Sequence, residues 1–124
     1  MKPTEVAEAA QGSVSEPTGE PAREEIDALR EATVIEFGAA YCGHCRAAQP
    51  LIAGALGAHP GVRHIKVEDG PGRRLGRSFR VKLWPTLIFL RQGQELARLV
   101  RPAAQTEIEQ ALRQIDAAAT KGDY

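Results

Sequence analysis

An α/β fold, a mixed sheet with helices on both faces, is predicted by three observations. Apolar residues switch between helical and strand-like spacing in the order α-β-α-β-α-β-β-α. The first two strand segments are separated by a helical one, which calls for a parallel pair joined by a right-handed crossover. The last two are separated only by Arg91-Gln92-Gly93-Gln94, a hairpin turn, so that pair is antiparallel. Helices must then cover both faces of the sheet to bury it.

Each element has its own local warrant. Residues 1–20 combine Pro3, Pro17, Gly12, Gly19, Ser13 and Ser15 with few large apolar groups. Such a stretch cannot bury enough surface to offset chain entropy, so a disordered acidic leader is expected there. Pro21 opens a helical stretch to about Glu31, with acids in its first turn and Ile26, Leu29 and Arg30 at helical spacing. Thr33-Val34-Ile35-Glu36-Phe37 reads as a short apolar strand with one charge inside it. Gly38 to Tyr41 is a loop feeding a helix from Cys42 to about Ala58, with Leu51, Ile52, Ala55 and Leu56 on one face. Pro50 lies inside that helix and should kink it.

His59-Pro60-Gly61 is a turn, Val62 to Val67 a strand, and Arg73 to Phe79 a short helix. Pro85 opens the strand Thr86-Leu87-Ile88-Phe89-Leu90, and Glu95 to Val100 alternates as an antiparallel partner. Thr106 is the expected N-cap of a last helix that turns Ile108, Leu112 and Ile115 inward. The folded domain is expected over 21–119, with a tail at 120–124.

Bulk properties exclude several classes. The 124 residues suit one domain with a modest core, and apolar residues make up 43%. Net charge is zero, but residues 1–31 carry eight acids against three bases, so residues 32–124 carry +5. Nothing in this balance points to nucleic acid. No run of eighteen apolar residues is present and no signal-peptide pattern occurs, so no membrane association and a cytoplasmic location are expected; removal of a signal peptide would make it periplasmic. The 12 arginines against 4 lysines suit a GC-rich bacterial genome. Arg73, Arg74, Arg77, Arg80 and Lys82 form a basic run, read as a solvated helix face, with an acidic partner or nucleic acid as the minority reading.

The chemistry is concentrated in Cys42-Gly43-His44-Cys45. Two cysteines at this spacing in a reducing compartment point to redox or metal chemistry rather than to a structural staple. Cys42 stands where a strand has ended and a helix begins, and the unpaired N–H groups there favour a thiolate. Cys45 lies one turn on, on the same face and deeper, where it can attack a mixed disulfide formed by Cys42 or close a disulfide with it. Zinc is the alternative, but it needs four ligands, and of the three histidines only His44 lies at ligand spacing.

The segment from Val34 to Cys45 resembles the active-site segment of the thioredoxin family, apolar-apolar-Asp-Phe-x-x-x-Trp-Cys-Gly-Pro-Cys. Pro50 matches the family's kink proline, Trp84-Pro85-Thr86 its cis-proline loop and Gly93 its hairpin glycine. The resemblance runs in register over about residues 22–118 and implies a thioredoxin-like fold with a four- or five-stranded sheet, because no strand signal precedes the first helix. It places Tyr41, Gly43, Trp84 and Pro85 at the substrate surface, with Pro85 cis and the Trp84 backbone free to pair with an extended substrate. His44 departs from the family's proline and gives the CGHC of protein disulfide isomerases, where it would tune Cys42. Glu36 replaces a buried aspartate. Flanked by Ile35 and Phe37, it is expected to be poorly solvated, with a raised pKa, and to accept the Cys45 proton. His64, where family members often have lysine, would lie near it. Gly38 and Tyr41 stand where large aromatics are common, and Arg101-Pro102 replaces a glycine near the substrate groove.

The expected function is thiol–disulfide exchange on protein disulfides by a thioredoxin-like reductant, a monomer served by a recycling reductase or oxidase. No metal or other cofactor is expected beyond the redox-active Cys42–Cys45 disulfide. The CGHC motif speaks for oxidation or isomerisation instead. A rival from another class is a thioredoxin-fold binding or chaperone module in which the cysteines are incidental.

Overall fold

The computed structural model describes residues 19–117. Residues 1–18 of the expected leader and the tail at 120–124 lie outside the described residues. Four strands, β1 (Thr33–Gly38), β2 (Arg63–Glu68), β3 (Thr86–Arg91) and β4 (Gln94–Val100), alternate with helices α1 (Arg23–Asp27), α2 (Gly43–Gly57), α3 (Arg74–Ser78) and α4 (Gln105–Ile115). The sheet order is β2-β1-β3-β4, with β1 and β2 parallel and the other two pairs antiparallel.

β1 is, with β3, one of the two inner strands, and its β-branched and aromatic side chains suit burial on both faces. Val34 joins Ala48, Ile52, Leu87, Phe89, Ile108 and Leu112 in the core beneath α2 and α4. Ile35 and Phe37 point the other way and pack with Ile26, Leu75, Phe79, Ile88 and Leu90 beside α1 and α3. Each such side chain contributes about 1.5–3 kcal/mol of burial, so the two faces anchor the strand that leads to the cysteines. Glu36 shares the α2 face with Val34, because side chains alternate along a strand.

The register of β1 and β2 sets His64 opposite Val34 and Lys66 opposite Glu36, so the two basic side chains lie on the face that carries Glu36. The β3–β4 hairpin turns on Gln92 and Gly93, both with left-handed backbone (φ 53° and 77°), the pattern of a tight type I′ turn. A side chain at Gly93 would also run into the Asp27 carbonyl oxygen. One bulge, at Phe89/Leu90, shifts the register so that Thr86 meets Val100.

Several expectations are corrected. α1 is only five residues long, because its chain leaves helical geometry after Ala28. Cys42 is the N-cap of α2 and not its first helical residue. Thr106 is not a cap: α4 starts from Ala104 without a side-chain cap, and Glu107 reaches back to accept from the Ala103 N–H at 3.0 Å. Among the described residues the sheet has four strands, with only an isolated bridge at Pro21 before α1. Glu20, assigned to the leader, is buried, and its Oε2 accepts from the Arg74 N–H at 2.8 Å and the Leu75 N–H at 3.4 Å. It thereby caps α3, whose own N-cap Arg73 offers no acceptor. No helix among the described residues is long and apolar enough to cross a membrane.

Candidate active site

The site forms where the end of β1, the start of α2 and the start of β3 meet. Cys42 has extended backbone (φ −87°, ψ 115°), and its Sγ accepts the Cys45 N–H at 3.1 Å. The sulfur therefore fills the acceptor role that serine or aspartate plays at most helix starts. Burial works against a charge on Cys42. The hydrogen bond from the Cys45 thiol, the N–H groups of Cys45 and His44, and the nearby Arg101 charge outweigh it and lower the Cys42 pKa. Cys45 moves the other way, to about 11, through burial, its hydrogen bond to Cys42, and the negative charges of Cys42 and Glu36. Both cysteines are free and buried, and the pair divides into a sulfur whose thiolate is favoured at the helix start and one whose thiolate is disfavoured behind it.

Gly38 makes room for the deeper sulfur. A Cβ built there would lie 2.7 Å from the Cys45 Sγ. The small residue also opens a cleft of about 290 Å³ that reaches from solvent to Cys45 and Glu36 and is bordered by Ala39, Gln49 and Lys66.

Glu36 is 3% exposed, yet both its oxygens are engaged. Oε2 accepts from Gln49 Nε2 at 2.6 Å and Oε1 from His64 Nε2 at 2.8 Å, while Lys66 Nζ reaches Gln49 Oε1 at 3.5 Å. The raised pKa expected for Glu36 is corrected. Burial pushes it up, but the donors His64 and Gln49 and the charge of Lys66 overcome that push and hold the carboxyl below its ordinary value. Glu36 is thus a fixed anion, with no hydrogen bond to Cys45.

The rim carries the residues expected to meet substrate. The Trp84–Pro85 peptide is cis and Pro85 is buried. Trp84 Nε1 donates to Asp69 Oδ2 at 2.9 Å, and the exposed Tyr41 ring meets the Trp84 ring edge-on at 6.1 Å. Gly43 and His44 are exposed on the first turn of α2. One expectation fails: the Trp84 carbonyl is not free, because Arg101 Nε donates to it at 2.8 Å. Among the described residues no group of three or more His, Cys, Asp or Glu is placed to hold a metal.

Gln49 and Asp69 are not anticipated at the site by the sequence, whereas Arg101, expected near the substrate groove, proves to be bonded to the Trp84 carbonyl. Gln49 follows Cys45 by four residues, which puts it on the same helical face. Arg101 follows from the hairpin only once the bulge is counted.

A thiolate-forming cysteine at a helix start, a buried partner one turn on and a proline loop opposite define a dithiol–disulfide oxidoreductase of the α/β class. Comparison with known proteins places it further. The thioredoxin family model matches residues 14–114, and the chain belongs to that family. Thioredoxin 2 from Pseudomonas aeruginosa PAO1, solved in its reduced form, is similar with a TM-score of 0.72 and 52% identity, over 85% of this chain and 94% of that one. Thioredoxin H2-1 of Oryza sativa subsp. japonica is 32% identical over 79 residues, 64% of this chain and 56% of the relative. The chain thus matches little more than half of that relative's length. Protein disulfide-isomerase A2 of Homo sapiens is 43% identical over an alignment of 72 residues that covers 53% of this chain and 14% of that protein.

Proposed function

We propose that the protein is a thioredoxin-type reductant of protein disulfides, acting as a monomer in a reducing compartment, the cytoplasm, and recharged by a reductase. The observation that carries the exchange chemistry is Cys42 at the start of α2, its Sγ accepting the Cys45 N–H at 3.1 Å with the Cys45 thiol in reach behind it, and membership of the thioredoxin family supports the reducing direction. The Cys42 thiolate attacks one sulfur of a substrate disulfide, and the other sulfur leaves as a thiolate that takes up a proton. Cys45 then gives up its proton and attacks the Cys42 sulfur, which releases the second substrate thiol. Two electrons pass to the substrate and a Cys42–Cys45 disulfide remains.

The Cys45 proton leaves through the cleft toward Glu36 and His64. Glu36, with both oxygens taken, holds the Gln49 amide and the His64 imidazole in place along that path, and solvent in the cleft takes the proton.

Oxidation or isomerisation is the second reading, and the lowered Cys42 pKa favours it, because stabilising the reduced form makes a disulfide more oxidising. His44 is expected to contribute in two ways, through its ring and through the backbone N–H that faces Cys42. His44→Ala removes the ring alone and His44→Pro removes both. The redox potential against glutathione should fall in the order wild type, Ala, Pro, by tens of millivolts, where about 30 mV equals about 1.4 kcal/mol. An unchanged potential in both variants contradicts this role.

Insulin reduction by dithiothreitol separates an exchange catalyst from a binding module. The wild type should hasten insulin precipitation and Cys42→Ser should not. Equal curves for the two proteins would favour the binding module.

A further inference from the structure

Arg101 stands at a place where the backbone asks for another residue. β4 ends with Val100 opposite Thr86, and the chain then turns left-handed at Arg101, φ 51°, a conformation that glycine adopts freely and L-residues rarely. The turn is pinned by the Arg101 N–H, which donates to the Pro85 carbonyl at 2.9 Å, and Pro102 beyond it is buried. This lays the side chain back across the proline loop, where Nε donates to the Trp84 carbonyl at 2.8 Å.

Two consequences meet at this point. The Trp84 carbonyl is the backbone acceptor that an extended peptide would use to pair with the loop, and a guanidinium covers it. A bound strand must move that guanidinium aside. Among the described residues no carboxylate lies within ion-pair distance of Arg101 to receive it. Asp69, the acid on this rim, is turned to the Trp84 indole at 2.9 Å. Arg46, the other cation beside the cysteines, has its guanidinium directed to the Ala40 carbonyl at 3.5 Å. The displaced Arg101 therefore faces the incoming peptide beside Cys42, with exposed Tyr41 and Leu83 as the apolar part of the rim.

Building on the exchange function proposed above, we propose that Arg101 is a specificity-determining residue that selects disulfides whose reactive cysteine adjoins an acidic residue. Its guanidinium leaves the Trp84 carbonyl to the substrate backbone and pairs with the substrate carboxylate, a planar, two-pronged match that a lysine would reproduce only in part. A lysine or arginine at the same substrate position meets like charge and is rejected.

The test uses the full chain, reduced beforehand, and three disulfide peptides that differ only in the residue next to the reactive cysteine: Glu, Gln or Lys. Trp84 is the one tryptophan, so its fluorescence follows the reaction at the site. The Glu peptide is expected to be reduced with kcat/KM about tenfold above the Lys peptide at low salt, mainly through KM, with the ratio narrowing as salt is added. Arg101→Gly, which suits the left-handed backbone, and Arg101→Gln should each bring the ratio close to one, and Arg101→Lys should keep part of it. Taking ratios between peptides cancels any general change in Cys42 reactivity. A wild type without the Glu-over-Lys order, or a ratio that survives both Arg101→Gly and Arg101→Gln, overturns the proposal. The neutral hydroxyethyl disulfide is run alongside. If the wild type fails to reduce even that, the exchange function falls; if it is reduced but the peptides are not ranked, only the role of Arg101 falls.

Discussion

Cys45→Ser is expected to turn the protein from a catalyst into a trap. Cys42 keeps its extended backbone and its N–H donors, because the bond from residue 45 to Cys42 Sγ comes from the main chain. The first attack on a substrate disulfide should therefore proceed. The second attack is lost, since a serine hydroxyl does not form the anion that displaces sulfur. Well-oriented intramolecular groups act like reagents at about 10⁵ M or more, far above any thiol in solution. Turnover should fall by well over about a hundredfold, and a covalent adduct of protein and substrate should accumulate, visible by intact mass and lost on adding dithiothreitol. Cys42→Ser should give neither turnover nor adduct. Equal adduct from both variants would mean that the nucleophile is misassigned.

Replacing Glu36 should act on stability and rate together, with signs that follow from its partners. Its folded-state pKa lies below the unfolded value. The ionised carboxylate therefore adds stability that is fully present above the ordinary carboxylate range and is lost as pH falls through the lower folded value. Glu36→Leu at pH 7.5 leaves the side chains of Gln49 and His64 without their acceptor and should cost about 1–3 kcal/mol in thermal or urea melts. The difference between wild type and variant should shrink as the melts are taken below about pH 4. Glu36→Gln keeps an acceptor for Gln49 and should cost less. Both variants should slow resolution of the mixed disulfide by about tenfold to a hundredfold in single-turnover reduction, while the first attack by Cys42 keeps its rate. A variant more stable than wild type at pH 7.5 would contradict the stabilising role of these hydrogen bonds, and unchanged resolution would remove Glu36 from the proton path.

What could be read beforehand was local. The change of period from strand to helix at Cys42, the Gly93 turn and the apolar face of α4 each lie within a few residues, and each stands close to its expected place. The lowered Glu36 pKa is not legible in the sequence because its flanks, Ile35 and Phe37, show burial but not donors. The donors come from β2 and from the next turn of α2, and here they outweigh desolvation. The Glu20 cap joins positions 54 residues apart, and no local pattern announces it. Arg101 could be placed near the glycine position, but its hold on Trp84 depends on a bulge and a left-handed residue that the alternation of β4 conceals. The Thr106 cap was lost to Glu107, which reaches back to the Ala103 N–H from inside the helix. Placements set by the local main-chain pattern were thus legible, and contacts made by long side chains reaching across the fold were not.

The central claim, that Cys42 is the thiolate nucleophile and Cys45 its protonated resolving partner, is tested most directly by the rate of iodoacetamide labelling of the reduced protein from pH 5 to 10, read residue by residue by mass spectrometry. The account predicts that Cys42 reacts first across this range, with a midpoint below that of a free cysteine, about 8.5, while Cys45 stays unlabelled until the pH approaches 11 or the protein unfolds. Equal labelling of the two thiols at neutral pH, or Cys45 reacting before Cys42, would contradict it.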